Sequence, residues 1–119
     1  MDRQRLGLWG TAIFAALAAI GMLIQVYLIA AVIFGELGWQ DEHKDFGKLV
    51  HLFYILTFLS ALLAAWPKWR ATLWPFVLAV LGSIQAFSAY GGGQDEGGDN
   101  PALHAFHGAL VPIVFVLAV

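Results

Sequence analysis

Four residues of this chain have side chains suited to coordination chemistry: His43, His51, His104 and His107. All fall within about two helical turns of one membrane face, at the outer ends of the second and fourth apolar segments. Neutral imidazole is the commonest protein ligand for metals. Ionisable or metal-binding groups inside a bilayer are costly, and their presence there is a functional hypothesis by default. The chemistry this points to is binding of a metal ion or of haem iron. Cysteine is absent, which excludes disulfides, thiolate metal sites, iron-sulfur clusters and covalent c-type haem attachment. Any cofactor must be held by nitrogen or oxygen.

The elements that position these residues are set by a membrane. Of 119 residues, 61% are apolar and 12% charged, whereas soluble domains carry about 25% charged residues. A span needs roughly 20 mostly apolar residues to cross about 30 Å of hydrocarbon. Four segments qualify, at about 8–34, 46–66, 73–90 and 102–119. Backbone groups in lipid must pair internally, and the all-round apolar runs from Phe53 to Ala65 and Leu73 to Leu81 exclude the alternation of barrel strands. The expected fold is all-α, a single transmembrane four-helix bundle spanning 1–119. Short loops make neighbouring helices antiparallel.

The first span is too long for a signal-peptide core and lacks a small-residue cleavage pattern, so it is expected to stay as a helix. Arg3, Arg5, Lys68 and Arg70 lie on one side, and Glu36, Asp41, Glu42, Asp45, Asp95, Glu96 and Asp99 dominate the other. The basic side is cytoplasmic, placing both termini inside and the histidines outside a bacterial plasma (inner) membrane. Trp9, Trp66, Trp69 and Trp74 form the inner aromatic belt, and Trp39 and Tyr90 the outer one. Pro67 stops the second helix, Thr72 caps the third with Pro75 in its first turn, and Asp99 or Asn100 caps the fourth ahead of Pro101. Gly91, Gly92, Gly93, Gly97 and Gly98 make the second outer loop flexible. The chain ends at Val119 without the polar flank that usually closes a span, which leaves room for a short cytoplasmic tail.

An internal repeat pairs the histidines. His43-Lys44-Asp45-Phe46-Gly47-Lys48-Leu49-Val50 and His104-Ala105-Phe106-His107-Gly108-Ala109-Leu110-Val111 both read His-x-x-x-Gly-x-Leu-Val. Ile24-Gln25 and Ile84-Gln85 match as well, as do Gln40-Asp41-Glu42 and Gln94-Asp95-Glu96. The pattern describes a duplicated helical hairpin with a pseudo-twofold axis along the membrane normal. Such symmetry suits a planar cofactor, because haem iron takes axial ligands from opposite sides. Gly47 and Gly108, one turn below His43 and His104, leave room for a porphyrin edge. Pro112 frees the Gly108 carbonyl and kinks the fourth helix beneath this site.

Gln25, His43-x-x-x-Gly47, Gln85 and Ala102-Leu103-His104 resemble a family of small, uncharacterised four-span bacterial membrane proteins, from about Gln25 onward. The arrangement is also similar to one four-helix half of haem A synthase, in which histidines at the outer ends of the second and fourth helices ligate b-type haem. That resemblance implies haem b on His43 and His104. It does not carry the oxidation chemistry, because the larger enzyme uses two such halves. Its first-loop acidic residue has counterparts in Glu36 or Glu42, with no motif to choose between them.

Rival assignments stay open. His51 and His107 lie deeper than His43 and His104, and a buried haem could use them; His104 and His107 form an i, i+3 pair able to hold a small metal ion. A histidine at the interface is ordinarily a hydrogen-bonding anchor. Gln25 and Gln85 are ordinarily interhelical glue, and the small residues Ala15, Ala18, Ala19 and Gly21 ordinarily serve close packing. The acidic outer run keeps the loops solvated. The first function class is a small haem protein for electron transfer or redox sensing, with a redox partner on the outer side. The second is a cofactor-free accessory or structural subunit of a larger respiratory or photosynthetic membrane complex. A metal or small-molecule carrier is the third, and lacks the broken helices and midplane charges of a transporter apart from Pro112. No phosphate-cradling motif is present, the net charge of -2 speaks against nucleic acid, and an electron carrier or accessory subunit is favoured over an enzyme.

Overall fold

The computed structural model describes residues 2–66, 68–90 and 100–119. They form four helices, α1 (Arg3–Ile33), α2 (Gln40–Ala65), α3 (Leu73–Tyr90) and α4 (Pro101–Ala118), with 3-10 turns at Leu37–Trp39 and Trp69–Thr72 ahead of α2 and α3. Among the described residues there is no strand. All four helices are long and apolar enough to cross a membrane.

Helix ends follow local chemistry. Asp2 accepts from the Arg5 backbone N–H at 2.8 Å, so α1 begins a turn and a half before the apolar run. It ends at Gly35, whose φ of +115° suits glycine, with Gly35 N–H bonded to Val32 O and Glu36 N–H to Ala31 O in a Schellman closure. At 31 residues α1 is about 46 Å long, more than the hydrocarbon thickness, so it must tilt or project. α2 also begins earlier than its apolar run. Asp41 and Glu42 fall in its first turn, where negative charge is favourable, and Lys48 pairs with Asp45 at 2.6 Å. The charged run at 40–45 is therefore helix, and His43 belongs to α2. Asn100 caps α4, accepting from the backbone N–H groups of Ala102 (3.1 Å) and Leu103 (3.4 Å). The Thr72 hydroxyl donates to Trp69 O within its 3-10 turn. Pro67, the Gly91–Gly98 stretch, Asp99 as a cap and the Tyr90 side chain lie outside the described residues.

Burial is inverted relative to a soluble protein. Large apolar side chains such as Leu23, Tyr27, Ile113 and Val116 face outward, while Thr57, Gln85 and Ser88 are buried. In lipid the outer surface meets hydrocarbon, so helix contacts depend on close packing by small residues. The α1 face toward α2 reads Gly7, Gly10, Phe14, Ala18, Gly21, Gln25, Leu28, a seam with steps of three and four. A Cβ on Gly7 would meet Ala64 N at 2.5 Å, one on Gly10 would meet Ser60 Oγ at 2.7 Å, and one on Gly21 would meet Val50 Cγ2 at 2.7 Å. α1 and α2 thus touch backbone to backbone. Between α2 and α3 the Tyr54 ring lies directly over Gly82. The core gathers Ala18, Met22, Val50, Tyr54, Leu78, Leu110, Val114 and Ala118. Contacts run α1–α2, α2–α3 and α3–α4, with a thinner α1–α4 seam; the diagonal α2–α4 pair packs little.

Candidate functional site

The inward stripe of α2 is His43, Gly47, Val50, Tyr54, Thr57, Ala61, and that of α4 is Leu103, His107, Leu110, Val114, Ala118. Both stripes end in a histidine at the acidic end of the molecule. The His43 and His107 rings face each other across the loosely packed diagonal, with centroids 6.5 Å apart and planes at 82°. Both residues are half-buried.

Each ring is set by its neighbours. His107 Nδ1 lies 2.7 Å from the Gln85 backbone oxygen, so Nδ1 carries the proton and donates, leaving Nε2 with its lone pair for a ligand. The backbone of His43 is fixed from the other side, where Gln25 Nε2 donates to His43 O at 2.9 Å. Gln25 is therefore the interhelical tie its position on the α1 seam requires. It lies over Gly47, where a Cβ would stand 3.0 Å from Gln25 Nε2. Two polar atoms here are buried with no hydrogen-bond partner among the described residues: His43 Nδ1 and Gln25 Oε1. Unpaired buried polar atoms are costly and call for an explanation such as an unrepresented ligand, ion or water.

The other histidines are placed differently. His104 is exposed on α4, one position off the inward stripe. His51 ties α2 to α3: Ser83 Oγ donates to Ala79 O at 2.7 Å and accepts from His51 Nε2 at 2.8 Å, while Phe87 stands edge-on to the imidazole at 6.1 Å. His51 is thus occupied in helix packing. Of the two glycines expected to make room for a cofactor, Gly47 is covered by Gln25. Gly108, next to His107, has nothing within 4 Å of where a Cβ would stand.

The donor set limits the chemistry. Among the described residues no group of three or more His, Cys, Asp or Glu converges as a metal cluster. A bare zinc ion takes three or four protein ligands. Two imidazoles suit a metal that arrives with its own macrocycle. Metal to imidazole nitrogen distances are about 2.0–2.1 Å, so two rings on opposite sides of one metal have centroids about 6 Å apart. The 6.5 Å centroid separation of His43 and His107, with their planes at 82°, is close to that spacing.

The pairing of His43 with His107 was within reach of the sequence through helix register. His107, Leu110 and Val114 step by three and four in the manner of an inward stripe. The His-x-x-x-Gly-x-Leu-Val alignment selects His104 instead, because it scores identity of spacing and ignores which face each residue occupies.

Set against known family models, curated proteins and solved structures, the chain finds no match.

Proposed function

We propose that this chain is a small b-type haem-binding membrane protein for electron transfer or redox sensing, with His43 and His107 as axial ligands. The observation that carries this reading is the facing imidazole pair at 6.5 Å. Supporting it are the Gln85 carbonyl that fixes the His107 tautomer and the unpaired His43 Nδ1. When bound, haem would supply a one-electron couple tuned by two imidazoles and a low-polarity surround. The protein's own contribution is to tie the His43 backbone to α1 through Gln25 and to hold the His107 ring through the Gln85 backbone oxygen.

The setting we infer is an antiparallel bundle built from a duplicated hairpin in a bacterial plasma membrane, with both termini cytoplasmic. The order of contacts supports the antiparallel sense, since Gly7 meets Ala64, Gly21 meets Val50 and Gln25 meets His43. Arg3, Arg5, Lys68 and Arg70 at one end support the orientation.

Purified protein in mild detergent, loaded with haem b, is expected to give a Soret band that shifts on dithionite reduction. His43→Ala and His107→Ala should lose the low-spin spectrum, while His104→Ala and His51→Ala keep it. Loss in His104→Ala with retention in His107→Ala would return the assignment to the repeat-based pair. A colourless protein that takes up no haem and co-purifies tightly with larger subunits would replace this reading with that of an accessory subunit.

A further inference from the structure

The end of the bundle opposite the histidines contains a cavity of about 820 Å³, opening between α1, the end of α2, the start of α3 and the last residues of α4. Its wall is small and apolar, with Ala12, Ala16, Ala19, Ala64, Ala65 and Ala118 contributing methyl groups only. Arg3 and Lys68 line it at the polar margin, together with the indoles of Trp66 and Trp74, and no Asp or Glu does. Arg3 Nη2 donates to Trp66 O at 3.1 Å, which anchors the guanidinium at this margin with further N–H groups to spare. Arg5 and Arg70 add to the same end, where the acidic side chain is Asp2, already engaged with the Arg5 N–H.

We propose that this groove binds one anionic glycerophospholipid, with its headgroup phosphate on Arg3 and Lys68 and an acyl chain along the alanine wall. Three features favour this occupant. From Leu8 to Ala19 the wall runs roughly 17 Å along α1, close to the ~15 Å hydrocarbon thickness of one leaflet. The thin α1–α4 seam gives the groove a lateral opening of the kind an acyl chain enters. The charged side chains lining it, Arg3 and Lys68, are both basic, and basic pockets between spans on this side of a membrane attract anionic headgroups. The proposal is independent of the histidine site.

The test is native mass spectrometry of the full chain in detergent, titrated in turn with dioleoyl phosphatidylglycerol and dioleoyl phosphatidylcholine. Wild type is expected to retain the glycerol lipid over the choline lipid, by about fivefold for each engaged basic residue. Arg3→Gln with Lys68→Gln should abolish the preference, and Ala16→Phe, which fills the groove and leaves the charges, should weaken retention of both lipids. Ala16 is exposed, so the circular dichroism melt of Ala16→Phe is expected to match wild type. Equal retention of the two lipids by wild type overturns the proposal, as does a preference that survives in the double variant. Undiminished binding in Ala16→Phe removes the acyl groove from it.

Discussion

Gly82→Ala reads the α2–α3 contact directly. An added Cβ would sit 2.7 Å from Tyr54 Cε2 and 2.9 Å from Cγ, with Cδ2 nearer still. Carbon atoms at rest stand about 3.5–4.0 Å apart, so ring and helix must separate by about 1 Å. Tyr54 is only 2% exposed and has no free side to turn toward. Overpacking of this kind costs about 1–3 kcal/mol. The alanine also gains about 1 kcal/mol of helix propensity, and the net expectation is a loss of up to about 2 kcal/mol. In a Tyr54→Ala background the clash is gone and only the propensity gain remains, so the same change should stabilise. The assay is reversible unfolding in mixed micelles with rising dodecyl sulfate, followed by circular dichroism, over the four corners of the double-mutant cycle. A 1 Å opening would also take the 2.8 Å contact between His51 and Ser83, next to Gly82 in the chain, beyond hydrogen-bond range. If Gly82→Ala carries the same sign in both backgrounds, the Tyr54 ring does not lie on Gly82 and the α2–α3 packing described above is wrong.

Gly7→Val should be more damaging, because its Cβ meets Ala64 N and Ser60 O, backbone atoms that cannot rotate away; loss of the cooperative unfolding transition in the same micelle assay checks it. Asn100→Ala removes the α4 cap and should cost about 1 kcal/mol, visible as faster amide exchange confined to the first turn of α4. Gly108→Leu enters open space on the exposed side of α4 that carries His104, so it should melt within about 0.5 kcal/mol of wild type and take up haem as wild type does. Lost uptake in Gly108→Leu would place the macrocycle on that side of α4.

Hydropathy made the four spans legible because each helix holds a window of 18 mostly apolar residues with few charges, the length a bilayer requires. Helix ends were less legible. Charge density reads the 40–45 stretch as loop, yet Asp41 and Glu42 at a helix N-terminus complement its dipole, and the turn at Leu37–Trp39 feeds straight into α2. Gln25 was legible as an interhelical tie from its place inside an apolar span, although its partner, a backbone carbonyl, carries no side-chain signature. The same limit applies to His107, which is oriented by the backbone oxygen of Gln85. Motif repetition points to the turns of α2 and α4 that carry His43 and His107, and does not register that His107 is half-buried while His104 is exposed.

The uneven packing of the bundle explains why its two ends differ. Glycines lock α1 against α2 along their shared length, so that pair behaves as one rigid wall. Nothing comparable joins α2 to α4, and α4 touches α1 thinly. At the basic end the consequence is a groove between walls of alanine. At the acidic end the His43 ring of α2 and the His107 ring of α4 meet across that diagonal. A group held by both rings would join the two halves of the bundle where they are otherwise least attached, so its binding energy would add to the cohesion of the fold. Of the two rings, the His107 imidazole is held in direction by a hydrogen bond, to the Gln85 backbone oxygen, whereas Gln25 holds the backbone of His43.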